Sequence, residues 1–121
     1  HKGRASPLPA VAAGLILRAI AVALAPRSGS KTAVAVSMSE VRVIVDARCA
    51  SCHSSEPSHP AFPAPPLGII FDTDEQIAAD AERIYQQTVV TRVMPIGNLT
   101  GMTDEERQEI AGWYRGLEKA R

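Results

Sequence analysis

Cys49-Ala50-Ser51-Cys52-His53 contains both cysteines of the chain and one of its three histidines, and the downstream sequence reads as its surroundings. C-x-x-C-H is the attachment signature of c-type haem. Two thiols one helical turn apart can each form a thioether with the vinyl groups on one edge of a haem, and the next imidazole then lies under the ring as proximal iron ligand. Cys49 and Cys52 are thus the expected tethers and His53 the expected ligand.

Three other readings of the motif are weaker. A structural zinc site needs four ligands, and beyond the motif only His1 and His59 remain among the cysteines and histidines. A thioredoxin-like dithiol belongs at a helix start inside a βαβ pattern, which the flanking sequence lacks. A chance pairing in a structural role leaves unexplained why the only two cysteines stand at this spacing beside a histidine.

The chain has 121 residues, 45% of them apolar, which suits one small domain with a tail. The apolar residues are mostly Ala and Val, with two Phe, two Tyr and one Trp, so a protein core alone would be thin at this size. A buried haem would supply the missing apolar volume. Residues 1–36 carry Lys2, Arg4, Arg18, Arg27 and Lys31 and no acid, whereas residues 37–121 carry eight Lys or Arg against thirteen Asp or Glu. A nucleic-acid binder would concentrate its positive charge on the folded domain, so that class is excluded. The acidic domain suits a redox module that meets protein donors and acceptors electrostatically.

Leu8 to Ala25 is an apolar run broken only by Arg18. As a helix it would span about 27 Å, slightly short of a hydrocarbon core, and a central arginine costs about 2.5–3.5 kcal/mol on insertion. Basic flanks and Ala23-Leu24-Ala25 also resemble an export signal, although Pro26 disfavours cleavage there. Residues 1–26 are therefore expected to be a membrane anchor, a last membrane helix or an export signal, and 27–37 a linker. Anchor and signal alike place the domain across a membrane, where c-type haem is usually attached.

In the domain, 38–121, three capped helices are expected. Ser37 to Glu40 forms a capping-box pattern, followed by Val41, Ile44, Val45, Cys49 and Cys52 at helical spacing, interrupted by Arg48. The Val41–Val45 run would serve a strand equally well by alternation; the cap and the need to deliver both cysteines to one edge favour helix. Pro57, Pro60, Pro63, Pro65 and Pro66 exclude a helix between His53 and Phe71, and His59 reads as a solvent-facing loop residue. Thr73 and Gln76 cap a second helix with Ile77, Ala81, Ile84 and Thr88 on one face. Thr103 and Glu106 cap a third, with Ile110, Trp113, Tyr114 and Leu117 inward.

A second axial ligand decides between electron transfer and chemistry at an open iron. Met94, ahead of Pro95 in a loop between two helices, is the first candidate; Met102 ranks second and Met38 third. Thioether ligation favours ferrous iron and raises the potential, as suits a carrier fed by a substrate-oxidising partner. A metal-bound histidine usually donates its other N–H to a carbonyl, and Pro65 or Pro66 is the expected acceptor for His53.

With these residues in place, 40–118 resembles a class I cytochrome c domain. More narrowly, Arg48 through His53, Pro66-Leu67-Gly68, Met94-Pro95-Ile96-Gly97-Asn98-Leu99-Thr100-Gly101-Met102-Thr103, Glu106-Arg107 and Trp113 are similar to the C-terminal cytochrome domain of membrane-bound, cytochrome-fused urate oxidases (urate hydroxylases). In that family a multi-helix membrane region is taken to oxidise urate and the cytochrome carries electrons onward. This chain carries at most the last helix of such a region, so the resemblance implies a urate-oxidising partner or fused domain and no urate chemistry in these residues.

The expectation is an all-α, small cytochrome c fold with one haem c, acting as an electron carrier and not an enzyme. It would stand on the periplasmic side of a bacterial inner membrane, between a substrate-oxidising partner and the respiratory chain. The alternative is a haem enzyme or gas sensor with an open distal site.

Overall fold

The computed structural model describes residues 35–121. The Leu8–Ala25 run and most of the 27–37 linker lie outside the described residues. Helix α1 (Met38–Arg48) starts at Ser37, whose extended backbone (φ −82°, ψ 160°) releases a hydroxyl to accept the Glu40 N–H at 3.3 Å, while the Glu40 carboxylate accepts the Ser37 N–H at 2.7 Å. That reciprocal cap decides the ambiguous valine run. In a strand Val41, Val43 and Val45 would share a face; instead Val41 and Val45 are fully buried and Val43 is 69% exposed.

The second helical segment is broken where one continuous helix is expected. Thr73 and Gln76 close a capping box ahead of α2 (Asp74–Ala79), and α3 (Ala81–Tyr85) follows after Asp80 leaves helical geometry at φ −100°, ψ 16°. The apolar face survives the break, since Ile77, Ala81, Ile84 and Thr88 are all buried. Past Tyr85 the chain widens into a π-helical turn, Gln86–Val90, closed by the Thr91 N–H on the Gln86 carbonyl at 2.9 Å. The Thr88 hydroxyl donates to the Ile84 carbonyl at 2.7 Å and that of Thr91 to the Gln86 carbonyl at 3.0 Å. Such side-chain competition for backbone acceptors loosens a helix.

Helix α4 (Asp104–Ala120) opens on the Thr103–Glu106 capping box, with Asp104, Glu105 and Glu106 at its positive end and Lys119 in its last turn, as the helix dipole prefers. It packs against both α1 and α3. Val41, Ile44, Val45, Phe71, Ile77, Ala81, Ile84, Met102, Ile110 and Trp113 form the core between them. Each fully buried aliphatic among them contributes about 1.5–3 kcal/mol. Tyr85 stacks on Tyr114 at 4.5 Å and 14°, which is packing between α3 and α4. The domain is all-α: among the described residues there is no strand. No described helix is long and apolar enough to cross a membrane.

Candidate functional site

Helix α1 ends at Cys49, whose N–H donates to the Val45 carbonyl at 2.8 Å; the Ala50 N–H shares that acceptor at 3.0 Å. The Cys49 carbonyl then accepts the N–H groups of Cys52 (3.1 Å) and His53 (2.9 Å). The motif is therefore a tight turn continuing the helix, and Cys49, Cys52 and His53 line one predominantly apolar pocket.

The pocket has an empty volume of about 860 Å³, part of it open to solvent, with walls that include Ile69, Phe71, Ile84 and Leu99. Both cysteines are free thiols. Burial first, then the neighbouring Cys52, Asp46 and Glu106, pushes the Cys49 thiol up to about 12. A protonated thiol is a poor nucleophile, and reactive dithiols need the opposite shift. No group of three or more His, Cys, Asp or Glu gathers among the described residues, so the donors for a zinc site are not assembled there.

His53 is held by its Nδ1, which lies 3.1 Å from the Ile69 carbonyl. A carbonyl can only accept, so Nδ1 carries the proton, and in the neutral imidazole that tautomer leaves the Nε2 lone pair for a metal. Phe71 adds a ring contact at 5.4 Å, and its N–H donates to the His53 carbonyl at 2.8 Å. The acceptor is thus neither Pro65 nor Pro66, as expected from sequence. Their carbonyls are consumed by the short 3₁₀ turn Pro66–Gly68, taking the N–H groups of Gly68 (3.0 Å) and Ile69 (3.1 Å). The proline pair builds the turn, and the carbonyl of Ile69, directly after it, meets His53.

Of the three methionines, Met94 alone lines the pocket. Met102, the second choice, is 4% exposed in the core, and Met38 packs against the core from its edge. The loop bearing Met94 is fastened along its length. The Met94 N–H donates to the Gln87 carbonyl at 3.0 Å, so the widened turn after α3 sets where the loop begins. Asn98 brackets Met102, donating to its carbonyl at 3.1 Å and accepting its N–H at 2.9 Å. Between them, Thr100 is tied to Arg48.

In the sequence Arg48 breaks an apolar stripe and opens the motif stretch that carries the resemblance, and neither shows what it contacts. Its guanidinium reaches Glu106 at 3.0 Å, so it joins α1, the methionine loop and α4 one residue before the first cysteine. Burial alone would raise the Glu106 carboxyl, but the Arg48 hydrogen bonds, the Thr103 N–H and the charges of Arg48 and Arg107 outweigh it and hold the pKa below the usual range. His59 is the other missed residue. It lines the pocket beside Phe62, ring centroids 5.3 Å apart, with its Nδ1 accepting the Ala61 N–H at 3.2 Å. Nothing in a loop histidine's sequence position distinguishes that from solvent exposure.

Comparison with family models, with curated proteins and with solved structures returns no match. The residues present are compatible with one group named above. Two free thiols, an imidazole and a thioether share one apolar cleft, a donor set that a covalently tethered haem would use.

Proposed function

We propose that this chain is a single-haem c-type cytochrome domain that carries one electron at a time between redox partners. The observation that carries the reading is the gathering of Cys49, Cys52, His53 and Met94 on one apolar pocket, with the His53 Nδ1 proton given to the Ile69 carbonyl. Haem supplies a reversible one-electron iron couple when bound.

The residues divide the remaining work. Cys49 and Cys52 would anchor one edge. His53 would ligate through Nε2, its orientation preset by Ile69 and Phe71. Met94 would offer the softer sulfur that favours the reduced iron. Ile69, Phe71, Ile84 and Leu99 would give the cofactor an apolar surround. Arg48, Arg83 and His59 are cationic or polar groups on the pocket lining able to meet carboxylates on the cofactor's edge. No proton transfer or nucleophile is required.

In this reading, Leu8–Ala25 anchors or exports the domain to the periplasmic side of a bacterial inner membrane. There it receives electrons from a substrate-oxidising partner, a urate-oxidising membrane domain by the resemblance, and passes them to the respiratory chain. The deciding experiment is a visible spectrum of protein expressed with a haem-attachment system, taken oxidised, reduced and in alkaline pyridine. A thioether-linked haem with a low-spin reduced form and a weak sulfur-to-iron band is expected. A colourless protein would overturn the reading, and a high-spin reduced form that binds carbon monoxide readily would replace it with the open-site alternative.

A further inference from the structure

Arg107 is charged, sits on α4 and is only 7% exposed. A buried guanidinium ordinarily takes a carboxylate partner. None of the described ion pairs includes Arg107, and residues 1–34 contain no Asp or Glu to supply one. Instead its Nη1 donates to two main-chain carbonyls, those of Thr88 and, at 3.0 Å, of Met94. Its Nε has no hydrogen-bond partner among the described residues. A side chain buried with one donor unmet is expensive to keep. The two bonds it makes therefore ask for an explanation beyond solubility or simple packing.

Those carbonyls belong to the two segments that position the methionine. Thr88 lies in the π-helical turn and Met94 opens the loop. The Met94 peptide is thereby held at both ends, its N–H on the Gln87 carbonyl at 3.0 Å and its carbonyl on Arg107. Arg107 closes a bracket between turn and loop from behind, while the Met94 side chain lines the pocket on the other side. Without Arg107, the first residue of the loop would be held by its N–H on the Gln87 carbonyl alone.

We infer that Arg107 is a positioning residue for Met94: by fixing the Met94 carbonyl to the turn at Thr88, it keeps the thioether on the pocket and so sets how hard the sulfur is to displace. This rests on the cytochrome reading above. Binding of a free competitor must lift the sulfur from its place, and a loop already held there resists that displacement.

The test uses the full haem-loaded chain and imidazole as the competing ligand, with the sulfur-to-iron band as readout. Arg107→Gln is expected to attach haem through Cys49 and Cys52 as the parent does, seen in alkaline pyridine, yet to lose the band at about tenfold lower imidazole or less, as a lost charged hydrogen bond predicts. Arg107→Lys, which restores the charge and part of the donor capacity, is expected to fall between the two, and it decides the matter alone if the glutamine variant does not fold. A residue that merely fills space would leave imidazole binding unchanged in a folded variant. Equal imidazole affinity in the parent and Arg107→Lys or Arg107→Gln would overturn the inference while leaving the cytochrome reading intact; a parent chain without haem or without the band would overturn both.

Discussion

Arg48 and Thr100 exchange hydrogen bonds in both directions: the guanidinium donates to the Thr100 carbonyl, and the Thr100 hydroxyl donates to the Arg48 carbonyl at 2.8 Å. With Glu106 on its other nitrogens, Arg48 joins α1 and the methionine loop, both of which line the pocket, to α4. Arg48→Gln is expected to lower stability by about 2 kcal/mol, because it leaves a partly buried carboxylate and a loop carbonyl without their partner. Urea unfolding followed by circular dichroism measures this, and a change within experimental error would show the contact to be idle.

Glu106 supplies a pH signature. Its folded-state pKa is depressed, so its contribution is present above the ordinary carboxyl pKa of about 4.3 and is lost as the pH falls through the lower folded value. Glu106→Gln should therefore be less stable than the parent near neutrality, with the difference shrinking in acid. A stability gap that stays constant from about pH 7 to pH 3 would contradict the assignment.

Two glycines should respond to alanine with opposite signs. Gly101 has φ +71°, and an added Cβ would lie 3.7 Å from the Arg48 Nη1, an ordinary contact. The cost there is the left-handed backbone, about 1–2 kcal/mol. Gly116 is inside α4 with open space around it, where alanine gains up to about 1 kcal/mol of helix propensity. Thermal melts of the two variants should move in opposite directions.

Removing the thioether tests the proposed ligand set. Met94→Ala is expected to retain covalent haem, lose the sulfur-to-iron band, bind carbon monoxide when reduced, and show a lower reduction potential. Met102→Ala should instead act on stability, by about 2–5 kcal/mol as a core cavity, with the band retained where the variant folds. A band lost in the Met102 variant and kept in the Met94 variant would reverse the ranking.

Much was legible locally. The three capping boxes at Ser37, Thr73 and Thr103 are patterns of residues three apart, and all three form. The apolar faces of α1, α2, α3 and α4 follow from helical period, because burial on one side of a helix repeats with its turn. Ser37 and Glu40 also settled the valine run, where propensity alone pointed two ways.

What the sequence could not express was every contact made by a main-chain carbonyl or across a long separation. The choice of Ile69 over Pro65 and Pro66 depended on which carbonyls a 3₁₀ turn consumes. The widened turn at Gln86–Val90 goes with the Thr88 and Thr91 hydroxyls that compete for backbone acceptors, and no local pattern marks the break at Asp80. Arg48, Arg107 and His59 took their places only when distant segments met, since a charged or polar side chain carries no periodic signal of its own. The sequence by itself determined an all-α domain and singled out the two thiols, the imidazole beside them and the methionines as candidate donors, because caps, periods and motif spacing are local. The tertiary structure decided which methionine reaches the pocket and which carbonyl orients His53, because those are set by where segments far apart in the chain come to rest.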